Sequence, residues 1–168
     1  LVLVPEIGLT PQTFSRIKRR FNCPVIMYHS GLSAKNKMIA WSQACDKQPL
    51  IVVGTRSSVF LPMPNLSLIV IDEEHDSSYK QQDGFRYSAR DFAVMRAHNE
   101  SFPVILGSAT PSLESLHNTI IGKSTRLELS QSATEAKPNT TRIIDISDLC
   151  LEEGFSKPLL DRISEHLF

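Results

Sequence analysis

Four hydrophilic residues, Asp72-Glu73-Glu74-His75, follow the apolar run Leu68-Ile69-Val70-Ile71 without a break. An Asp at the end of a buried strand can hold Mg²⁺, usually through water. The next residue, Glu73, can then orient and deprotonate a water that attacks a phosphate. Both acids must project from a rigid strand end, because in-line attack tolerates little misplacement. The same pattern also suits a solvated acidic turn. The ends of the other apolar runs have to decide between the two.

Gly54-Thr55-Arg56 closes one such run, where backbone N–H groups and a guanidinium suit a phosphate oxygen or form an ordinary strand-to-helix turn. Gly107-Ser108-Ala109-Thr110 closes another. Ser108 and Thr110 can hydrogen-bond neighbouring carboxylates, or the segment can simply cap the helix that starts near 112. Residues 77–90, SSYKQQDGFRYSAR, interleave Tyr79, Phe85 and Tyr87 with Lys80, Arg86 and Arg90. Aromatic rings stack on unpaired bases while cations meet phosphates. The same composition suits an apolar latch holding the loop down.

These residues need elements to position them. Apolar, β-branched runs at 1–5, 24–29, 50–55, 66–72 and 103–109 predict strands. Between them, 10–21 (opened by Thr10 and Pro11), 33–45 (capped by Ser33), 88–99 and 112–121 predict helices. Continuous apolar strands alternating with helices imply an α/β fold whose parallel sheet is covered on both faces. Ligands of such sheets sit at the carboxyl ends of the strands, where the residues above collect. Beyond 122, 125–130 and 142–147 read as short strands, 131–141 as a polar loop and 157–168 as a helix.

The 168 residues suffice for one domain with a core. No apolar run reaches the roughly 18–20 residues that cross a bilayer, and no signal peptide is visible. Cys23, Cys45 and Cys150 stand far apart, which predicts semi-buried free thiols and no structural zinc. The zero net charge hides an asymmetry: residues 1–60 hold eight Lys/Arg against two Asp/Glu, and the remainder ten against sixteen. A basic half can meet phosphates and an acidic half can hold a cation. A chain that starts without Met and stops inside a helix is expected to be a piece of a longer protein.

In order along the chain, PEIGLTPQ (5–12), GTRSSVF (54–60), DEEH (72–75) and GSATPS (107–112) resemble motifs Ia, Ib, II and III of the superfamily 2 helicases, motif II being of the DExH type. The stretch DEEHDSSYKQQDGFRYSARD (72–91) narrows the resemblance to the primosomal protein N′ family, the bacterial replication-restart DNA helicases. It covers about residues 1–122. The resemblance implies a RecA-like, P-loop NTPase type three-layer sandwich with a mainly parallel sheet, incomplete at its N-terminus. Residues 1–122 would be the first motor domain without its P-loop segment. Residues 123–168 would lead toward a zinc-binding and second motor region.

The resemblance also implies roles. ATP and Mg²⁺ would be the cofactors, with Asp72 holding the metal through water and Glu73 as base, Glu74 and His75 completing the catalytic motif. His75, Ser108 and Thr110 would couple the nucleotide to DNA and to the second motor domain. Thr55, Arg56 and the region Glu6 to Gln12 would touch the DNA backbone. Tyr79, Lys80, Phe85, Arg86, Tyr87 and Arg90 would form a DNA-sensing loop, mobile without DNA. The family's Zn²⁺ would have its ligands outside this chain. Forked or single-stranded DNA, the single-strand-binding protein and other primosome proteins would be partners, with no membrane, in the bacterial cytoplasm at the nucleoid. The activity would be 3′-to-5′ unwinding.

The nearest match to a P-loop, HNTIIGKS (117–124), has His117 in place of the first Gly and follows a helix, so Gly122 fits a helix C′ position. The chain by itself is therefore expected to bind ATP poorly, and residues 103–108 to form an exposed sheet edge. The alternative is a non-catalytic nucleic-acid-binding or interaction module with the same fold. A metal-dependent hydrolase would need further ligands beside His75, and His29, His98 and His117 have no helical spacing to it.

Overall fold

The computed structural model describes residues 1–6, 10–130 and 141–167. It divides into two units, the boundary falling between Arg126 and Leu127.

In the first unit, strands β1 (Val2–Leu3), β2 (Val25–Tyr28), β3 (Ile51–Gly54), β4 (Ile69–Ile71) and β7 (Val104–Leu106) form one sheet in the order β2-β3-β1-β4-β7. Every neighbouring pair is parallel. Helices α1 (Thr10–Arg20), α2 (Ala34–Cys45), α3 (Ala89–Glu100) and α4 (Leu113–Ile120) alternate with the strands. This is an α/β RecA-like fold. Caps set the helix starts: the hydroxyls of Ser33, Ser88 and Ser112 accept from Asn36, Asp91 and Ser115 amides. A small antiparallel pair, β5 (Lys80–Gln81) with β6 (Tyr87–Ser88), brackets the aromatic and basic loop.

Apolar burial holds the sheet, with Leu3, Val52, Val53, Ile69 and Ile71 at 0% exposure. Helix α3 lays Ala89, Ala93 and Ala97 inward at i, i+4 and i+8, all buried, so its backbone approaches closely. Arg96 donates to the carbonyls of Val59 and Leu61 at 3.1 and 2.9 Å, which fastens α3 to the 3₁₀ turn Arg56–Phe60. The register aligns Tyr28 with Gly54, Gly54 with Leu3, Leu3 with Ile71, and Ile71 with Leu106. Asp72 and Gly107 therefore leave the sheet side by side. Strand β7 is an edge, and its Ile105 is half exposed.

The second unit departs from the expected strands. Residues 125–130 and 142–147 form none: Leu127, Leu129 and Ile143 are exposed, and among the described residues no strand pairs with either segment. The pairing occurs instead in the hairpin β8 (Leu151–Glu152) and β9 (Phe155–Ser156), followed by α5 (Lys157–Leu167). Glu153 and Gly154, at φ 51° and 87°, make the two-residue turn that matches strand twist. Most of the predicted polar loop, at 131–140, lies outside the described residues, as do residues 7–9 of the motif Ia-like stretch.

All three cysteines are free, but Cys45 and Cys150 are exposed rather than semi-buried. Among the described residues no helix is long and apolar enough to cross a membrane, and no three His, Cys, Asp or Glu residues stand together as a metal cluster.

Candidate functional site

The site is built on the adjacent carboxyl ends of β4 and β7. Asp72 donates its amide to Leu3 O at 2.9 Å, which fixes it as the last sheet-bonded residue, and its carboxylate faces solvent. Glu73 follows at φ 48°, a left-handed conformation costly for a residue with a Cβ. That sharp turn is held from the next residue, whose amide donates to Gly107 O at 2.9 Å. The acidic turn is thus bonded to both neighbouring strands.

His75 and Glu74 leave this turn with different tasks. The His75 ring meets both hydroxyls beyond β7, with Nδ1 2.7 Å from Ser108 Oγ and Nε2 3.4 Å from Thr110 Oγ1. Glu73 Oε2 lies 3.6 Å from His75 Nδ1, both side chains being partly exposed. Asp72, Glu73, His75, Ser108 and Thr110 therefore share one edge of the sheet.

Glu74, grouped with the catalytic acids on sequence, is corrected here: it is 3% exposed and turned away from that edge. Its carboxylate accepts from Arg90 Nη1 at 3.0 Å, the Ser112 amide at 2.7 Å, Ser112 Oγ at 3.2 Å and Ser115 Oγ at 3.0 Å. Burial pushes this carboxyl up, but the Ser112 amide, Arg90 and the Ser115 hydroxyl together hold it below the ordinary carboxylate range. A side chain so committed has no free oxygen for a metal or a water.

The loop residues divide. Tyr79 is 1% exposed and its hydroxyl donates to Asp72 O at 2.7 Å, so it cannot stack on a base. Burial, reinforced by the nearby acids, pushes its phenol far above the ordinary value. Arg90 is buried against Glu74 and Ser112 and cannot meet a phosphate. Arg56 donates through Nη1 to the carbonyls of Ser78 and Lys80, both at 3.0 Å, so that nitrogen grips the loop rather than a nucleic acid. Ser78 Oγ donates to Pro5 O at 3.0 Å, and Asp76 caps the turn through the Ser78 amide at 2.7 Å. Tyr87 packs edge-on against Phe60, centroids 4.8 Å apart. These contacts anchor the loop at both ends. What remains outward is Lys80, Arg86 and Phe85, the last 77% exposed.

Asp72 suits Mg²⁺: an exposed carboxylate on a rigid strand end, with no cage of further ligands, matches a cation that keeps most of its water. The Glu74–Arg90 pair was missed on sequence, although a signal existed. Arg90 lies in the first turn of α3, where the helix dipole disfavours a cation, so a carboxylate partner was to be sought.

Comparison with known proteins bears on this edge. Residues 1–119 match the DEAD/DEAH box helicase family model. The chain is 48% identical to the replication restart protein PriA of Haemophilus influenzae over 167 residues, covering 99% of this chain and 23% of that protein. It is 58% identical to the Synechocystis protein of the same name over 118 residues, 70% of this chain and 14% of that one. For the Bacillus subtilis protein the identity is 42% over 169 residues, 98% of this chain and 21% of that one. The chain thus spans under a quarter of the length of these relatives. With the family model covering the whole parallel sheet, its acidic turn and all but the last residue of α4, the chain belongs to the DEAD/DEAH box helicase family.

Proposed function

We propose that this chain carries the acid-bearing part of the first motor domain of an ATP-driven DNA helicase that unwinds 3′ to 5′ and serves replication restart and primosome assembly. The observation that carries the reading is the shared edge of β4 and β7, where Asp72 and Glu73 stand beside His75, Ser108 and Thr110. Bound ATP–Mg²⁺ supplies a phosphate made electrophilic by the metal. Asp72 would hold the Mg²⁺ through its water, and Glu73 would accept the proton of the attacking water. His75 passes the state of this edge to the hydroxyls of Ser108 and Thr110. The near-P-loop at 117–124 ends helix α4 with Gly122 at φ 75°, so it does not cradle phosphates, and hydrolysis belongs to the complete protein. By the same reading its partners are forked or single-stranded DNA, single-strand-binding protein and other primosome proteins, in the cytoplasm at the nucleoid. Zinc would be held by residues outside this chain.

The test uses the complete protein with ATP–Mg²⁺ and duplexes carrying a 3′ or a 5′ single-stranded tail. Hydrolysis stimulated by DNA and unwinding of the 3′-tailed duplex are expected. DNA binding without any hydrolysis would identify a non-catalytic module, and unwinding of the 5′-tailed duplex alone would reverse the direction.

Within this reading Phe85, Lys80 and Arg86 are the loop's contacts with unpaired DNA. Phe85→Ala is expected to weaken single-stranded DNA binding by about 30-fold, the middle of the range for loss of one base stack. It should lower the DNA-stimulated ATPase more than the basal rate. Equal loss of both rates would instead make the loop a latch.

A further inference from the structure

Arg90 is placed where neither stability nor DNA contact explains it. A buried ion pair is a poor stabiliser, because desolvation offsets most of the attraction. A cation in the first turn of a helix is disfavoured by the dipole as well. Yet Arg90, two residues after β6 closes the aromatic loop, is buried with Nη1 3.0 Å from Glu74 Oε2 and 2.8 Å from Ser112 Oγ. Its Nε reaches Asp91 Oδ1 at 3.0 Å. Glu74 in turn accepts from Ser112 and Ser115 at the start of α4. Three elements therefore meet at one carboxylate: the acidic turn after β4, the start of α3, and the segment that continues from Ser108 and Thr110 into α4.

We propose that Arg90 is a positioning residue. Through Glu74 it ties the exposed loop at 82–86 to the acidic turn and to the start of α4, so that occupancy of the loop sets the placement of Glu73 and His75. This deepens the motor reading and rests on it. The physical reason is directional. Charge-assisted hydrogen bonds are short and geometrically strict, and inside the protein they resist bending. A displacement of the α3 start is carried to Glu74, whose neighbours in the chain are Glu73 and His75. An apolar contact at the same place would slide.

The test uses the complete protein carrying Arg90→Gln, Arg90→Lys or Ser115→Ala. The readouts are the ratio of ATPase at saturating single-stranded DNA to ATPase without DNA, and DNA affinity from the anisotropy of a labelled oligonucleotide. Arg90→Gln is expected to lower the ratio by about 10-fold, within the range for coupling between sites, with DNA affinity unchanged. Arg90→Lys should fall between, since one ammonium cannot serve Glu74, Ser112 and Asp91 together. A merely structural role would lower both rates alike and leave the ratio alone. An unchanged ratio in Arg90→Gln overturns the proposal. So does weakened DNA affinity with full stimulation at saturating DNA, which would make Arg90 a phosphate contact. Should Arg90→Gln fail to fold, Ser115→Ala removes only the bond that a half-buried hydroxyl donates to Glu74 and the one it accepts from Ser112, and an unchanged ratio there is equally decisive. A parent protein that DNA does not stimulate overturns the motor reading itself, and this inference with it.

Discussion

Glu73→Gln in the complete protein is expected to leave ATP binding nearly intact and to lower kcat by at least about 10²-fold, the contribution of a positioned general base. The substitution keeps the shape and the hydrogen-bonding reach of the side chain and removes the basic oxygen. Geometry singles out Glu73 among the three acids. Glu74 is buried and its carboxylate is saturated. Asp72 is exposed at the strand end, suited to a metal's water shell. Glu73 is the partly exposed one, 45% by side chain, on the edge that also holds His75. Its φ of 48° is shared by Gln without new strain, so the fold should not change. Single-turnover hydrolysis and nucleotide binding by titration check both halves. Turnover equal to the parent would remove Glu73 from the role of base.

Gly54→Ala is expected to destabilise the first unit by about 3 kcal/mol, at the top of the range for overpacking. Gly54 lies between β1 and β2 at the end of β3, and a Cβ there would run into the Ser58 hydroxyl and the Tyr28 carbonyl oxygen. Neither can move away easily. Ser58 Oγ donates to Tyr28 O at 2.8 Å, and Tyr28 is fixed by the sheet. The requirement is for space, since the backbone at Gly54 is not left-handed. A calorimetric midpoint lower by about 6–12 °C follows from that energy for a chain of this size. Adding Ser58→Gly should recover only part, because the Tyr28 carbonyl remains in the way. A midpoint equal to the parent's would show that the strand end yields.

The Gly of a motif read on sequence as a phosphate contact thus has a packing reason too. The sequence reading was strongest where burial dictates residue type. Ile51–Gly54 and Ile69–Ile71 are continuous apolar runs because both faces of their strands are covered, and a run of that kind has few other places to go. Ser33 and Ser112 announce their helices by their caps. The acidic turn was legible because polar residues at a parallel strand end have a known meaning. Tyr79, Arg56 and Arg90 were not, and all for one reason. Side chains that combine an apolar stem with a polar tip suit either a nucleic acid or a carbonyl inside the protein. Composition does not say which end of the side chain is satisfied at home. The strands expected at 125–130 and 142–147 fail differently: alternation predicts a strand only where a second strand is there to pair with it.

His75 carries one last implication. A neutral imidazole has one N–H and one bare nitrogen, and here each nitrogen faces a different hydroxyl. When Ser108 accepts from the ring, Thr110 must give to it, and when Ser108 gives, Thr110 must accept. The two hydroxyls cannot choose independently while the ring is neutral. The ring behaves as a single two-position register, and a proton moved from one nitrogen to the other rewrites both neighbours at once. On the motor reading proposed above, what passes from this edge to Ser108 and Thr110 is a discrete symbol rather than a graded push.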